Sequence, residues 1–136
     1  MVDEHEQKVT HTYLVHYPEH GPRESDPHYI DFNHYKKTHK ATAKCAFFGT
    51  ASQTQCTDQL ELHHAHIEFA LTNGVSFDVL EKFYPGISNP NEVGAWVESE
   101  ANFQWLCSFH HRGHGGAHVA SASDFEAQKF VKGLLS

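Results

Sequence analysis

Two short stretches concentrate the ligand-bearing side chains of this 136-residue chain: His63-His64-Ala65-His66, and Cys107-Ser108-Phe109-His110-His111-Arg112-Gly113-His114-Gly115-Gly116-Ala117-His118. Together they offer one thiol and seven imidazoles, far more donor chemistry than packing requires, and the natural use of such a set is to hold metal. Asn102 lies five residues before Cys107, so the functional order is His-His, then Asn, then Cys-x-x-His-His. On an extended segment neighbouring side chains point to opposite sides. One of the two adjacent histidines can therefore take a cation while the other takes a proton from water.

A second set of ligands overlaps the first. Cys45, Cys56, Cys107 and His110 make a Cys₃His group, the complement a tetrahedral structural zinc takes from two chain segments. Cys107-x-x-His110 has knuckle spacing, whereas the ten residues between Cys45 and Cys56 are too many for a short knuckle. Three cysteines cannot all pair as disulfides, which argues for ligation. The competing reading is three buried thiols acting as small apolar groups. We expect zinc.

The pattern Leu62-His63-His64, Asn102, Leu106-Cys107-Ser108-Phe109-His110-His111 resembles the HNH endonucleases over roughly residues 45 to 132. His111 to His118, followed by Ala120-Ser121-Ala122-Ser123-Asp124-Phe125-Glu126-Ala127, is similar to the small HNH proteins of bacteriophages. The resemblance implies an α+β fold with a ββα-metal (His-Me finger) core, and a DNA endonuclease or nickase that hydrolyses phosphodiester bonds with one divalent cation, magnesium, manganese or nickel. It implies His63 as a metal ligand, His64 as the general base, Asn102 as the residue fixing the loop behind the base, and His111 as the second ligand. The third ligand is His118 or His114. Gly113, Gly115 and Gly116 make an unbroken helix unfavourable and allow a bend that returns His118, which we prefer. His66 is an alternative base in a His-x-His register. Arg112 suits a phosphate clamp, or a surface ion pair. The phage-type likeness further implies DNA as partner and a role in genome processing or packaging beside a terminase. The alternative is a non-enzymatic zinc-binding accessory module of a packaging machine.

Length limits the chain to one domain with a modest core, in which a structural metal would help. Met1 to Lys8 is acidic and polar with no apolar run behind it, and no stretch is long enough to span a bilayer, so we expect no secretory signal, no membrane contact and a cytoplasmic location where thiols stay reduced. The formal charge of -7 opposes binding to a polyanion. The excess is local: residues 57 to 100 hold eight acids against Lys82 alone, and the rest of the chain balances. Lys36, Lys37, Lys40 and Lys44 make a basic patch.

The elements that must position these residues follow from local signals. Residues 1 to 44 are expected to add a strand at Thr12 to Tyr17 and a helix opening at Asp26-Pro27 and running through Tyr29, Phe32 and Tyr35 to about His39. Residues 45 to 136 are expected to form the metal-bearing core. There Cys45 to Cys56 reads as a loop or tight hairpin with Phe47-Phe48 beneath it and Gly49 at the turn, Gln59 to Phe69 as a strand broken near the histidines, and Phe103 to Leu106 as a second strand. Between them, Ser76 and Asn89-Pro90 each open a helix, an inserted pair that braces the site. Ser123 is placed as the N-cap of a last helix carrying Phe125, Phe130 and Leu134. His5, His11, His16, His20, His28, His34 and His39 lack the company of other ligands and read as hydrogen-bonded or exposed side chains.

Overall fold

A computed structural model describes residues 5–136; the first four residues of the acidic amino terminus lie outside the described residues. Among the described residues, five helices and one small antiparallel sheet make an α+β fold. In order they are α1 (Tyr29–His39), β1 (Leu60–His64), α2 (Phe77–Phe83), α3 (Pro90–Val97), β2 (Phe103–Cys107), α4 (Ser108–His111) and α5 (Ala122–Ala127). Short 3-10 turns join several of them. No helix among the described residues is long and apolar enough to cross a membrane.

The two strands pair with Leu60 opposite Cys107, Leu62 opposite Trp105 and His64 opposite Phe103. Alternation puts Glu61 and His63 on one face and Leu62 and His64 on the other. β1 stops at His64, and the backbone then leaves the ladder, with Ala65 donating to the Asn102 carbonyl at 2.7 Å. The expected extension through Ile67 to Phe69 does not form: the chain bends at 65–66, and a 3-10 turn begins at Phe69, because a two-stranded sheet leaves that segment nothing to pair with.

Two apolar clusters hold the chain together. Phe47, Leu106, Cys45 and Cys107 form the first, with Phe109 and Phe125 against it. The second is built from the inserted helices, Leu80 of α2 with Val93, Trp96 and Val97 of α3, covered by Ile67 and Tyr84. α3 begins as its sequence dictates: the Asn89 side chain accepts from the Glu92 amide at 2.9 Å, and Pro90 occupies the first turn. α1 docks by Phe32, whose ring lies 5.4 Å from both His64 and Phe103.

Four further expectations fail. Thr12 to Tyr17 has β-forming residues but no strand: the sheet offers it no partner, and Tyr13, Leu14 and Tyr17 remain exposed. The last helix is capped by Ser121, which accepts from the Asp124 amide, and not by Ser123. That helix also ends at Ala127, so Phe130 and Leu134 lie beyond it and are exposed. Finally, Phe47 is fully buried in the cysteine loop while Phe48 stays outside beneath the Lys44 ammonium.

Two candidate metal centres

Cys45, Cys56, Cys107 and His110 converge, with their ligand atoms all within 4.8 Å of one another. The Sγ atoms of Cys107, Cys56 and Cys45 lie 3.2, 3.6 and 3.7 Å from His110 Nδ1. Sulfur and nitrogen ligands on one tetrahedral zinc stand roughly 3.5 Å apart, from the usual bond lengths. The buried Cys₃His cluster can therefore hold a metal such as zinc. The ten-residue interval is spanned by a loop that turns at Gly49, with φ +80°, so that Cys45 and Cys56 arrive on the same side of β2. His110 is locked behind its ligating atom. Its Nε2 meets Ser52 Oγ at 2.7 Å, and Phe47 stacks on it face to face at 4.0 Å. Burial lowers its pKa to about 4, so the ring is a neutral ligand across the physiological range. Burial also drives the Cys45 and Cys56 thiols up. For Cys107 burial acts the same way but hydrogen bonds around the sulfur outweigh it, and its pKa falls.

The second centre takes the next residue of α4. His63, His111 and His118 bring one ring nitrogen each to within 4.8 Å of the others. His111 and His118 are closest, Nε2 to Nε2 at 3.1 Å. His118 returns because the chain after α4 folds back tightly: its amide donates to the His111 carbonyl, and that of Ala117 to the His110 carbonyl. Only glycine fits the fold-back. A Cβ on Gly116 would stand 2.6 Å from the His111 carbonyl oxygen, and one on Gly115 would collide with the Phe109 ring and with Gln128. His114 is carried away to the surface, where its Nδ1 lies 3.0 Å from the Ser136 carbonyl oxygen.

Three carboxylates surround these rings, and the sequence reading assigned them no role. Glu61 Oε1 accepts from His111 Nδ1 at 2.8 Å, which leaves Nε2 to face His118. Glu68 reaches in from beyond β1, 3.7 Å from His118 Nε2 and 3.9 Å from His63 Nδ1, and its other oxygen lies 3.7 Å from His64 Nδ1. Glu98, at the end of α3, receives His64 Nε2 at 2.6 Å. The available signal was the excess of acids over bases in residues 57 to 100, which composition alone presents as surface charge.

His64 itself is buried, between Phe32 and the Glu98 carboxylate. Burial disfavours its protonated form, but the neighbouring Glu68 and Glu98 carboxylates outweigh this and raise its pKa. Burial dominates at His63 and lowers it to about 4, and it lowers His118 as well. Glu68 shows the converse: burial would raise it, yet the surrounding imidazoles pull it below the usual carboxylate range.

Asn102 is fully buried and spends its whole side chain on the loop behind His64. Oδ1 accepts from the amides of His66 and Ile67 at 2.9 and 3.1 Å, and Nδ2 donates to the carbonyls of Ile67 and Val97 at 2.9 and 3.0 Å. His66 points away from the rings of the centre and lies over Trp96 at 6.2 Å. Arg112 is exposed, close enough for its charge to depress His118. The rings of His63 and His118 border an open cavity of about 570 Å³ that also takes in Gln104, Phe125 and, from the amino-terminal segment, His11 and Tyr13. His11, read from sequence as isolated, therefore has ligand-type neighbours.

No protein-family model, curated protein or solved structure matches the chain.

Proposed function

We propose that the chain is a metal-dependent HNH-type DNA endonuclease or nickase, with β1, β2 and α4 serving as a ββα-metal core and the Cys₃His group as its zinc anchor. One observation carries this reading. His64 Nδ1 and the ring nitrogens of His63 and His118 all lie within 3.7 to 3.9 Å of the same Glu68 carboxylate, so a proton acceptor and a cation-binding trio open onto one small space. Adjacent histidines reach that space from opposite faces of β1, the division of labour that water activation beside a bound cation requires.

His63, His111 and His118 would hold a divalent cation, which when bound offsets charge on the scissile phosphate and on the departing oxygen. Three neutral imidazoles suit manganese or nickel better than magnesium, which prefers oxygen ligands. His64 takes the proton of the attacking water at Nδ1 while Asn102 keeps the 65–67 loop from drifting. Arg112, exposed beside His118, is free to meet a phosphate oxygen. The local acidity no longer opposes a polyanionic substrate in a simple way: Glu61, Glu68 and Glu98 are turned onto histidines, and a bound cation cancels part of their charge. A place beside a phage terminase follows only from the likeness of the 111–127 segment to phage-type sequences.

Supercoiled plasmid incubated with manganese, nickel or magnesium is expected to be nicked or linearised. His64→Ala should abolish this while zinc content and circular dichroism stay unchanged. Undiminished cleavage by that variant would remove His64 from its role. The net charge of -7 favours a second reading, a zinc-binding accessory module without activity. Metal titration separates the two, since the module would bind one tight zinc and show no second, exchangeable cation.

A further inference from the structure

We infer that Glu98 and Arg23, neither of them in the histidine and cysteine motifs, are positioning residues that fix His64 in the tautomer with its proton on Nε2 and its lone pair on Nδ1. This inference rests on the proposed base role of His64, and adds to it the atom that reacts and the groups that choose it.

The contacts at Nε2 carry the assignment. Glu98 Oε1 lies 2.6 Å from His64 Nε2. A carboxylate in an ion pair with a guanidinium is an acceptor, so the shared proton belongs to Nε2. Arg23 supplies that ion pair: its Nη2 lies 2.9 and 3.3 Å from the two Glu98 oxygens. The same Nη2 is 3.5 Å from His64 Nε2, too far to compete with the carboxylate for the ring. With Nε2 committed to Glu98, Nδ1 is the ring nitrogen turned toward the cluster: Glu68 stands 3.7 Å from it, beyond hydrogen-bond length, and leads on to His63 and His118.

The assembly is built to keep that geometry. The Glu98 side chain is 1% exposed, so water does not displace its partners. The Arg23 guanidinium lies over the Phe32 ring at 4.1 Å, and Phe32 in turn packs against His64 at 5.4 Å. Buried Arg–carboxylate pairs are seldom a net source of stability. Their better use is to orient a third group, and here that group is the base. Glu98 terminates α3, and Arg23 lies in the 3-10 turn Arg23–Ser25 before α1. The inserted helices and the amino-terminal region thus enter the site directly.

The test uses the full-length, zinc-loaded protein with ¹⁵N-labelled histidine. In the wild type, the His64 ring is expected to show Nε2 protonated and Nδ1 bare. Glu98→Gln, nearly isosteric, should release that preference and lower kcat for manganese-dependent nicking by roughly 10²- to 10⁴-fold, the span seen when a base loses its orienting carboxylate. KM for DNA and manganese affinity should be unchanged, a split that general destabilisation would not produce. Arg23→Gln should act in the same direction with a smaller loss. A wild-type ring protonated on Nδ1 would overturn the inference, as would a Glu98→Gln protein with the same tautomer and the same kcat. Absence of nicking by the wild type with every cation would sink the nuclease reading instead, and the ring spectra of wild type and Glu98→Gln would still decide the tautomer question.

Discussion

His110 and His111 are consecutive residues of one short helix, yet each serves a different centre. Successive side chains on a helix diverge by roughly 100°, so α4 sends one ring into the cysteines and the next toward His63 and His118. The first centre is sealed: three sulfurs, a nitrogen, a stacked Phe47 and a buried Ser52 enclose it. The second is all nitrogen among the trio, ringed by carboxylates, and its His63 and His118 border an open cavity. Under the proposed function the contrast separates anchoring from chemistry. A sealed tetrahedral set holds its ion and shapes the chain, while an open set leaves room for a substrate.

Four experiments would break or sharpen that contrast. Cys107→Ser should have the largest effect, because the sulfur sits in the first core and closes the zinc cage; structural zinc is worth about 10 kcal/mol in small domains. Loss of the bound zinc by elemental analysis, together with loss of a cooperative melting transition, is the expected result. A folded, cooperative mutant would show that the cysteines merely pack.

His118→Ala comes next. Manganese affinity should fall by about 100-fold or more, at or above the upper end for losing an outer-shell partner, while zinc content and melting temperature hold. His114→Ala is the control and should leave manganese affinity alone, since that ring faces Ser136. The reverse ranking would move the third ligand.

The pH dependence is smaller and has a fixed sign. His63 has a pKa of about 4 in the folded chain against 6.5 for the ordinary side chain. Between those values the unfolded chain binds a proton that the folded one does not, so stability is full above pH 6.5 and falls as the pH drops toward 4. In zinc-loaded protein without added manganese, urea unfolding of the wild type should lose roughly 2 kcal/mol more than His63→Gln between pH 6.5 and pH 5. Parallel curves would mean that the ring is not desolvated. Arg112→Ala should be the mildest, raising KM for DNA a few-fold with no change in melting temperature, as befits an exposed residue.

Much of this was legible in the chain because it depends on local chemistry. Asn89-Pro90 announces α3, and Ser76 marks the start of α2, through rules that need only neighbouring residues. The glycines at 113, 115 and 116 signalled the fold-back that returns His118, since no side chain fits against the His111 carbonyl or the Phe109 ring. The strand expected at Thr12 to Tyr17 failed for the complementary reason. Strand propensity is realised only with a partner, and residues 12–17 carry no information about whether one exists.

By itself the sequence determined which side chains can ligate, the order His-His, Asn, Cys-x-x-His-His, and the helices that cap and break locally. Only the tertiary structure decided that Glu61, Glu68 and Glu98 turn inward onto histidines, and that Arg23 crosses seventy-five positions to pair with Glu98. The physical reason is that a carboxylate has no local pattern announcing its partner. Its place is set by which elements pack beside it, and those contacts are made between parts of the chain that are remote in sequence.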